Sequence, residues 1–231
     1  APLAERWNRR LERRVLEWAD VILCTTEPAR ERLLDTLPDF SPDRIVTVPN
    51  GYDSEDFRGL HPRPRWPQDG RPVMLHAGSV YGRRDPSAFL QALLLRHAEA
   101  PGRCPRAVFL GNWDEQTLAR TRALLEPARE AGLVTLLPAV PRRESLEIQA
   151  AADWLILLGD SMPEMLQVPG KLFEYLAMRK PVFSLFPEGA PVEPYLAAYA
   201  RRHRSAAPDD AQSILASLRS LESGAAAAAG R

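Results

Sequence analysis

Five short apolar runs, at 72–77, 106–111, 133–138, 153–158 and 180–185, are separated by segments of helical periodicity at about 86–99, 114–131, 143–151 and 170–178. This alternation is what most restricts the fold. Each run ("PVMLHA", "RAVFLG", "LVTLLP", "DWLILL", "KPVFSL") is apolar throughout and does not alternate with polar residues. A strand apolar on both sides must be covered on both faces, and strands that take turns with helices are joined by crossovers. The predicted fold class is therefore α/β, a Rossmann-like parallel sheet with helices on both faces. Two further helical segments, 190–202 and 210–223, follow the last strand. In open sheets of this kind a ligand sits beyond the carboxyl ends of the strands. That places any site in the loops at 77–86, 111–114, 137–143, 158–171 and 185–190.

The preceding residues follow a different plan. Residues 3–19 place Trp7, Leu11, Val15 and Trp18 on one helical face and arginines on the other. Short strands are expected at 21–24 and 44–49, with a helix at 27–37 between them. "NGYD" then forms a turn, and 58–70, rich in proline and without periodicity, reads as a linker. The expected organisation is 1–57 as one segment, 58–70 as linker, 71–223 as the main domain and 224–231 as a flexible tail. The chain has no initiator Met and opens within a helix, so a fragment of a longer protein is expected.

Charge and cysteine usage narrow the partners. Thirty acidic residues balance thirty basic ones, so no overall field favours nucleic acid and any anion must be held locally. Cys24 and Cys104 lie far apart and read as reduced thiols. No apolar run approaches membrane-spanning length, so a cytoplasmic protein is expected. The four histidines (His61, His76, His97 and His203) are scattered, and no metal site is expected.

Two of the loops carry the chemistry. "GSVYGRRDP" at 78–86 combines Gly78 and Ser79 with Arg83 and Arg84, ahead of a helix. Glycine lets backbone approach a ligand closely, and arginines can fork onto phosphate oxygens. The spacing matches neither a dinucleotide fingerprint nor a P-loop. The second loop ends in "PGKLFEYLAMRKPV" at 169–182. Pro169 suits a helix start, and the N–H groups of Gly170, Lys171 and Leu172 would point out of the helix unpaired. Together with the Lys171 ammonium they would make a diphosphate cradle. Lys171 and Lys180 are the only lysines in the chain. Glu174 lies one turn further on the same face, where a carboxylate would repel phosphate but accept two hydrogen bonds from a ribose diol. Backbone near Val140 in "PAVP" can meet the edge of a base.

These stretches together resemble the donor-binding half of a GT-B glycosyltransferase of the large family 4 type. "ADVILCTTEPARERL" and "IVTVPNGYDSEDF" look like the end of that family's first domain, "LHAGSVYGRRDP" like the loop opening its second, and "EYLAMRKPV" like its signature. The resemblance covers about 18–215. It implies a retaining, hexosyltransferase-type enzyme that takes a sugar from a nucleoside diphosphate donor, UDP or GDP, without a metal or other cofactor. Arg84 and Lys171 would be the catalytic groups, steadying the leaving phosphate. Gly78, Ser79, Arg83, Val140, Pro169, Gly170, Leu172 and Glu174 would bind the donor. The acceptor, a sugar, lipid or protein, would be met by an acceptor-side domain of which 1–57 is the terminal, incomplete part. The fragment alone is expected to be inactive.

The sequence departs from the family pattern at three positions. Leu166 stands where a sugar-contacting Glu is usual, with Glu164 nearby. Ser79 replaces an Arg, whose work passes to Arg83 or Arg84. Arg179 replaces a helix-ending Gly, so this helix is expected to end differently. The alternative reading is a non-catalytic nucleotide- or partner-binding half of a split glycosyltransferase. An epimerase on the same architecture would need a carboxylate and histidine cluster that the sequence does not offer. The arginine face of the helix at 3–19 allows peripheral contact with an anionic membrane, at its inner face, while its apolar face fits a helix packed on a sheet. Homodimerisation through the incomplete segment is the further partner expectation.

Overall fold

The computed structural model describes residues 2–37, 39–159, 166–199 and 203–228. Two parallel sheets are present, one of two strands and one of six. In the first segment α1 (Pro2–Trp18) leads to β1 (Ile22–Cys24), α2 (Glu27–Thr36) and β2 (Ile45–Thr47), with β1 and β2 paired in parallel. Thr26 starts α2 as its N-cap, its hydroxyl accepting from the Ala29 N–H at 3.2 Å. A small core of Ile22, Leu37, Phe40 and Ile45 closes this unit. The apolar side of α1 is not packed on a sheet. Leu3, Trp7, Leu11, Val15 and Trp18 are all exposed, as are Val21 and Leu23 beyond it.

The six-stranded sheet consists of β3 (Val73–Ala77), β4 (Arg106–Leu110), β5 (Val134–Leu137), β6 (Trp154–Leu158), β7 (Val182–Leu185) and β8 (His203–Ala206). Their spatial order is β5-β4-β3-β6-β7-β8, and every pairing is parallel. The helices are α3 (Ser87–Glu99), α4 (Glu115–Glu130), α5 (Arg142–Ala151), α6 (Gly170–Ala177), α7 (Glu193–Ala198) and α8 (Ala211–Ala228). Strand residues alternate between two cores, as the strand period requires. Met74, Phe109, Ile156 and Phe183 face α3, α4 and α8. Val73, Leu75, Val108, Leu157 and Val182 face α5, α6 and α7.

The apolar runs mark β3 to β7 to within a residue or two, but β8 is not among them. Its residues, "HRSA", are polar because it is the edge strand, paired on one side with β7 only. At the other end, α8 continues to Ala228, so the stretch expected to be a loose tail from 224 is helical as far as 228. Alanine has the best helix propensity, which suits this run. The segment at 58–70 is not a free linker. Trp66 is buried in the second core, the Arg63 N–H donates to the Glu147 carbonyl at 3.0 Å, and Arg106 holds the Pro67 carbonyl at 2.7 Å and Asp69 at 2.9 Å.

Arg179 corrects another expectation. It adopts φ 54°, the left-handed cap, despite its side chain. Arg179→Gly is expected to stabilise the protein by about 0.5–1 kcal/mol, read from urea unfolding, because glycine takes this conformation without steric cost.

Candidate functional site

After the first strand, β3, the chain moves outward through β4 and β5 and then returns to place β6 on the other side of β3. Loops on either side of this reversal diverge and leave a crevice. A cleft of about 360 Å³ lies there. Its wall is formed by the ends of β3 and β4, the loop after β5, one side of α5 and the first turn of α6.

The floor is backbone packed on backbone. The Gly78 N–H donates to the Leu110 carbonyl at 2.7 Å, and Gly111 N–H to Leu137 at 3.0 Å, which extends the sheet past its strands. Gly111 adopts φ 142°, and a Cβ there would stand 2.6 Å from the Gly78 carbonyl oxygen. Gly78 adopts φ 138°, and a Cβ on it would stand 2.0 Å from Lys171 Nζ. The lysine thus lies against bare backbone, in a space that only glycine leaves. The 78–86 loop is held from α4: the Asp114 carboxylate caps Thr117 at 2.7 Å and accepts the Gly82 N–H at 3.0 Å. These bonds, the Thr117 N–H first, hold Asp114 below the usual carboxylate range.

Positive charge gathers on one side of the cleft. Burial, with Arg84 close by, lowers the Lys171 pKa to about 8, against a smaller opposing pull from Glu174. The Arg84 guanidinium lies 5.0 Å from the Tyr81 ring centroid and is half-buried. On the other side Glu174 accepts from Arg142 at 2.9 Å, and Arg142 also donates to Asp56 at 2.9 Å. These two carboxylates raise the Arg142 pKa.

Of the residues singled out in the sequence, Gly78, Ser79, Val140, Gly170, Lys171 and Glu174 meet around the cleft. Arg84 lies close enough for its charge to act on Lys171. Arg83 is exposed and, like Pro169, does not line the cleft. Leu172 is a correction. Its side chain is fully buried in the second core, and its N–H is not free but donates to the Pro169 carbonyl at 3.0 Å, because the first turn of α6 closes tightly. The N–H groups of Gly170 and Lys171 have no backbone acceptor among the described residues. Leu166 presents its carbonyl to the Thr26 hydroxyl, and Glu164 lies outside the described residues. No group of three or more His, Cys, Asp or Glu side chains that could hold a metal occurs among the described residues, nor any helix long and apolar enough to cross a membrane.

Sequence reasoning missed Arg142, Ser145 and Gln149. Two arginines at the start of a helix oppose its dipole, which signals that acidic partners lie nearby. Gln149 is buried, donates to Ser145 at 3.0 Å, and its Oε1 at the cleft wall has no partner among the described residues. A lone polar residue on the apolar face of α5 was the available signal.

This six-stranded parallel unit, with a cleft at its reversal point and part of a second parallel unit ahead of it, has the form of a GT-B Rossmann-like domain. Four matches to known proteins bear on this form. Residues 1–56 match the family model for Glycosyltransferase Family 4. A D-inositol 3-phosphate glycosyltransferase from Nocardia farcinica is 28% identical over 156 residues, covering 62% of this chain and 33% of that protein. A glycosyltransferase from Rickettsia africae superposes with a TM-score of 0.64 at 12% identity, covering 90% of this chain and 54% of that one. HepE from Anabaena, in complex with UDP and glucose, gives 0.60 at 14% identity, covering 89% and 54%. The chain therefore spans a third of the length of the curated relative and about half of these structures. Together the matches support the resemblance to a GT-B, family 4-like glycosyltransferase.

Proposed function

We propose that this chain carries the donor site of a retaining glycosyltransferase that takes its sugar from a nucleoside diphosphate. The observation that supports this most is the Lys171 ammonium laid over Gly78 at the start of α6. A compact cation, free helix N–H groups and a glycine floor suit a diphosphate, and the cleft has the size of a nucleotide site. HepE, whose fold is similar, was crystallised with UDP and glucose, which agrees with this choice of ligand.

In the reaction the bond from the anomeric carbon to the diphosphate oxygen breaks, and its electron pair stays with the diphosphate. Groups that bind the leaving group more tightly as its charge grows lower the barrier. Lys171, Arg84 and the N–H groups of Gly170 and Lys171 take that role, and no metal is needed to supply it. Ser79 lies beside the phosphates, Glu174 accepts the ribose hydroxyls while Arg142 fixes its carboxylate, and Val140 meets the base. The acceptor hydroxyl then bonds to the same face of the sugar, and its proton passes to the departing diphosphate oxygen on that face.

Titration of UDP, GDP and ADP into the chain tests the site. One of the three is expected to bind, and Lys171→Ala and Glu174→Ala are each expected to weaken it by about 1 kcal/mol or more. Full affinity in the Lys171→Ala protein would overturn the reading.

A further inference from the structure

Beside the cleft, at the chain reversal, the β3–β6 ladder stops at the Leu75–Leu155 pair. Two side chains fill the opening beyond it. His76 Nδ1 lies 3.1 Å from the Ile156 carbonyl oxygen. The Tyr175 hydroxyl lies 3.4 Å from the same oxygen and 3.4 Å from the Ala77 N–H. A carbonyl only accepts, so Nδ1 carries the ring proton. The ring is neutral, because burial, then the charges of Lys171 and Arg84, lower its pKa to about 3 against the opposing Ile156 bond. Nε2 is then a lone pair.

That lone pair is buried and has no partner among the described residues. A buried acceptor left open is costly, and such a site calls for an occupant. Its position shows which. A Cβ built on Gly78 would meet Lys171 Nζ at 2.0 Å and His76 Nε2 at 3.8 Å, so the two groups border one small space. An ammonium has three donors and no acceptor, and Nε2 is an acceptor alone. The other charged or titratable groups facing this pair are Arg84 from the loop after β3, and Glu174 and Tyr175 from α6, the tyrosine hydroxyl being raised above its usual range by burial.

We propose that His76 is a positioning residue for Lys171. Its Nε2 accepts from one water that in turn accepts an N–H of the ammonium, and this bridge holds the charge over Gly78 toward the cleft. The consequence for nucleotide binding rests on the donor-site reading, but the contact itself does not. His76 touches no reacting atom.

With only two lysines in the chain, protein labelled with 13Cε-lysine gives two signals, told apart by Lys180→Arg. In His76→Phe the Lys171 signal is expected to titrate about 0.5 pH unit or more below its wild-type midpoint, because a bond that favours the charged form is gone. His76→Gln, which keeps an acceptor, should recover most of that shift, and Lys180 should not move. Should His76→Phe fail to fold, as its thermal melt will show, His76→Leu makes the same comparison. An unchanged Lys171 midpoint in the folded variant overturns the proposal, since a ring that merely packs would leave it in place.

UDP, GDP and ADP affinities at about pH 6.5 and about pH 8.5 form the second arm, with a loss of about threefold to tenfold expected in His76→Phe mainly at the higher pH. A shifted midpoint in a chain that binds no nucleotide would leave the His76–Lys171 contact standing and the donor site refuted. Nucleotide binding with an unshifted midpoint would do the reverse.

Discussion

Gly111→Ala is expected to destabilise the protein by about 3 kcal/mol or more, seen as a lower urea midpoint with an unchanged slope. Two effects combine at this position. The backbone sits at φ 142°, which side chains other than glycine rarely adopt, and the new methyl would stand 2.6 Å and 2.7 Å from the Gly78 carbonyl atoms. Neither neighbour can yield, because Gly78 is held by its bond to Leu110 and Gly111 by its bond to Leu137. Gly170→Ala is the control. That glycine has an ordinary φ and nothing within 4 Å of an added Cβ, so stability should change by no more than about 0.5 kcal/mol. Similar costs for the two variants would mean that the floor of the cleft is not rigid.

Nucleoside diphosphate affinity is expected to fall about tenfold as the pH rises from about 7 to about 9.5, and Lys171→Arg should flatten that profile. The cause is the Lys171 pKa near 8: above it the ammonium loses its proton and with it its attraction for phosphate. The unliganded protein should show the opposite slope. A lysine whose pKa is lowered by folding binds fewer protons in the native than in the unfolded chain, so stability contributed by this group rises between about pH 8 and its ordinary value of 10.5. One side chain thus drives affinity down and stability up over the same range. Calorimetric titration and thermal melts on the same samples measure both.

The fold was readable because burial on both faces leaves an uninterrupted apolar run, and five such runs gave five strands. β8 carries no such mark, because an edge strand need not be apolar. The cleft was readable in part. Gly78, Lys171 and Glu174 announce themselves locally, through glycine in a loop and charge at a helix start. What the sequence could not show was which groups had already found partners. The Leu172 N–H is spent on Pro169, and the Glu174 carboxylate is held by Arg142. Nor could it show that the imidazole of His76 faces the neighbourhood of Lys171, which depends on where β3 parts from β6. The left-handed Arg179 was likewise hidden, because geometry imposed by the turn before β7 prevailed over residue preference.

The Asp56–Arg142–Glu174 chain of ion pairs carries a thermodynamic obligation. Arg142 ties a carboxylate in the cleft to one that precedes the 58–70 strap. Any ligand that draws on Glu174 alters what Arg142 offers Asp56, and any movement of Asp56 alters what remains for the ligand. Reciprocity requires the two effects to be equal in free energy. A partner that gripped Asp56 would therefore change the hold on a ligand at Glu174 by the same factor that the ligand would change the hold on the partner.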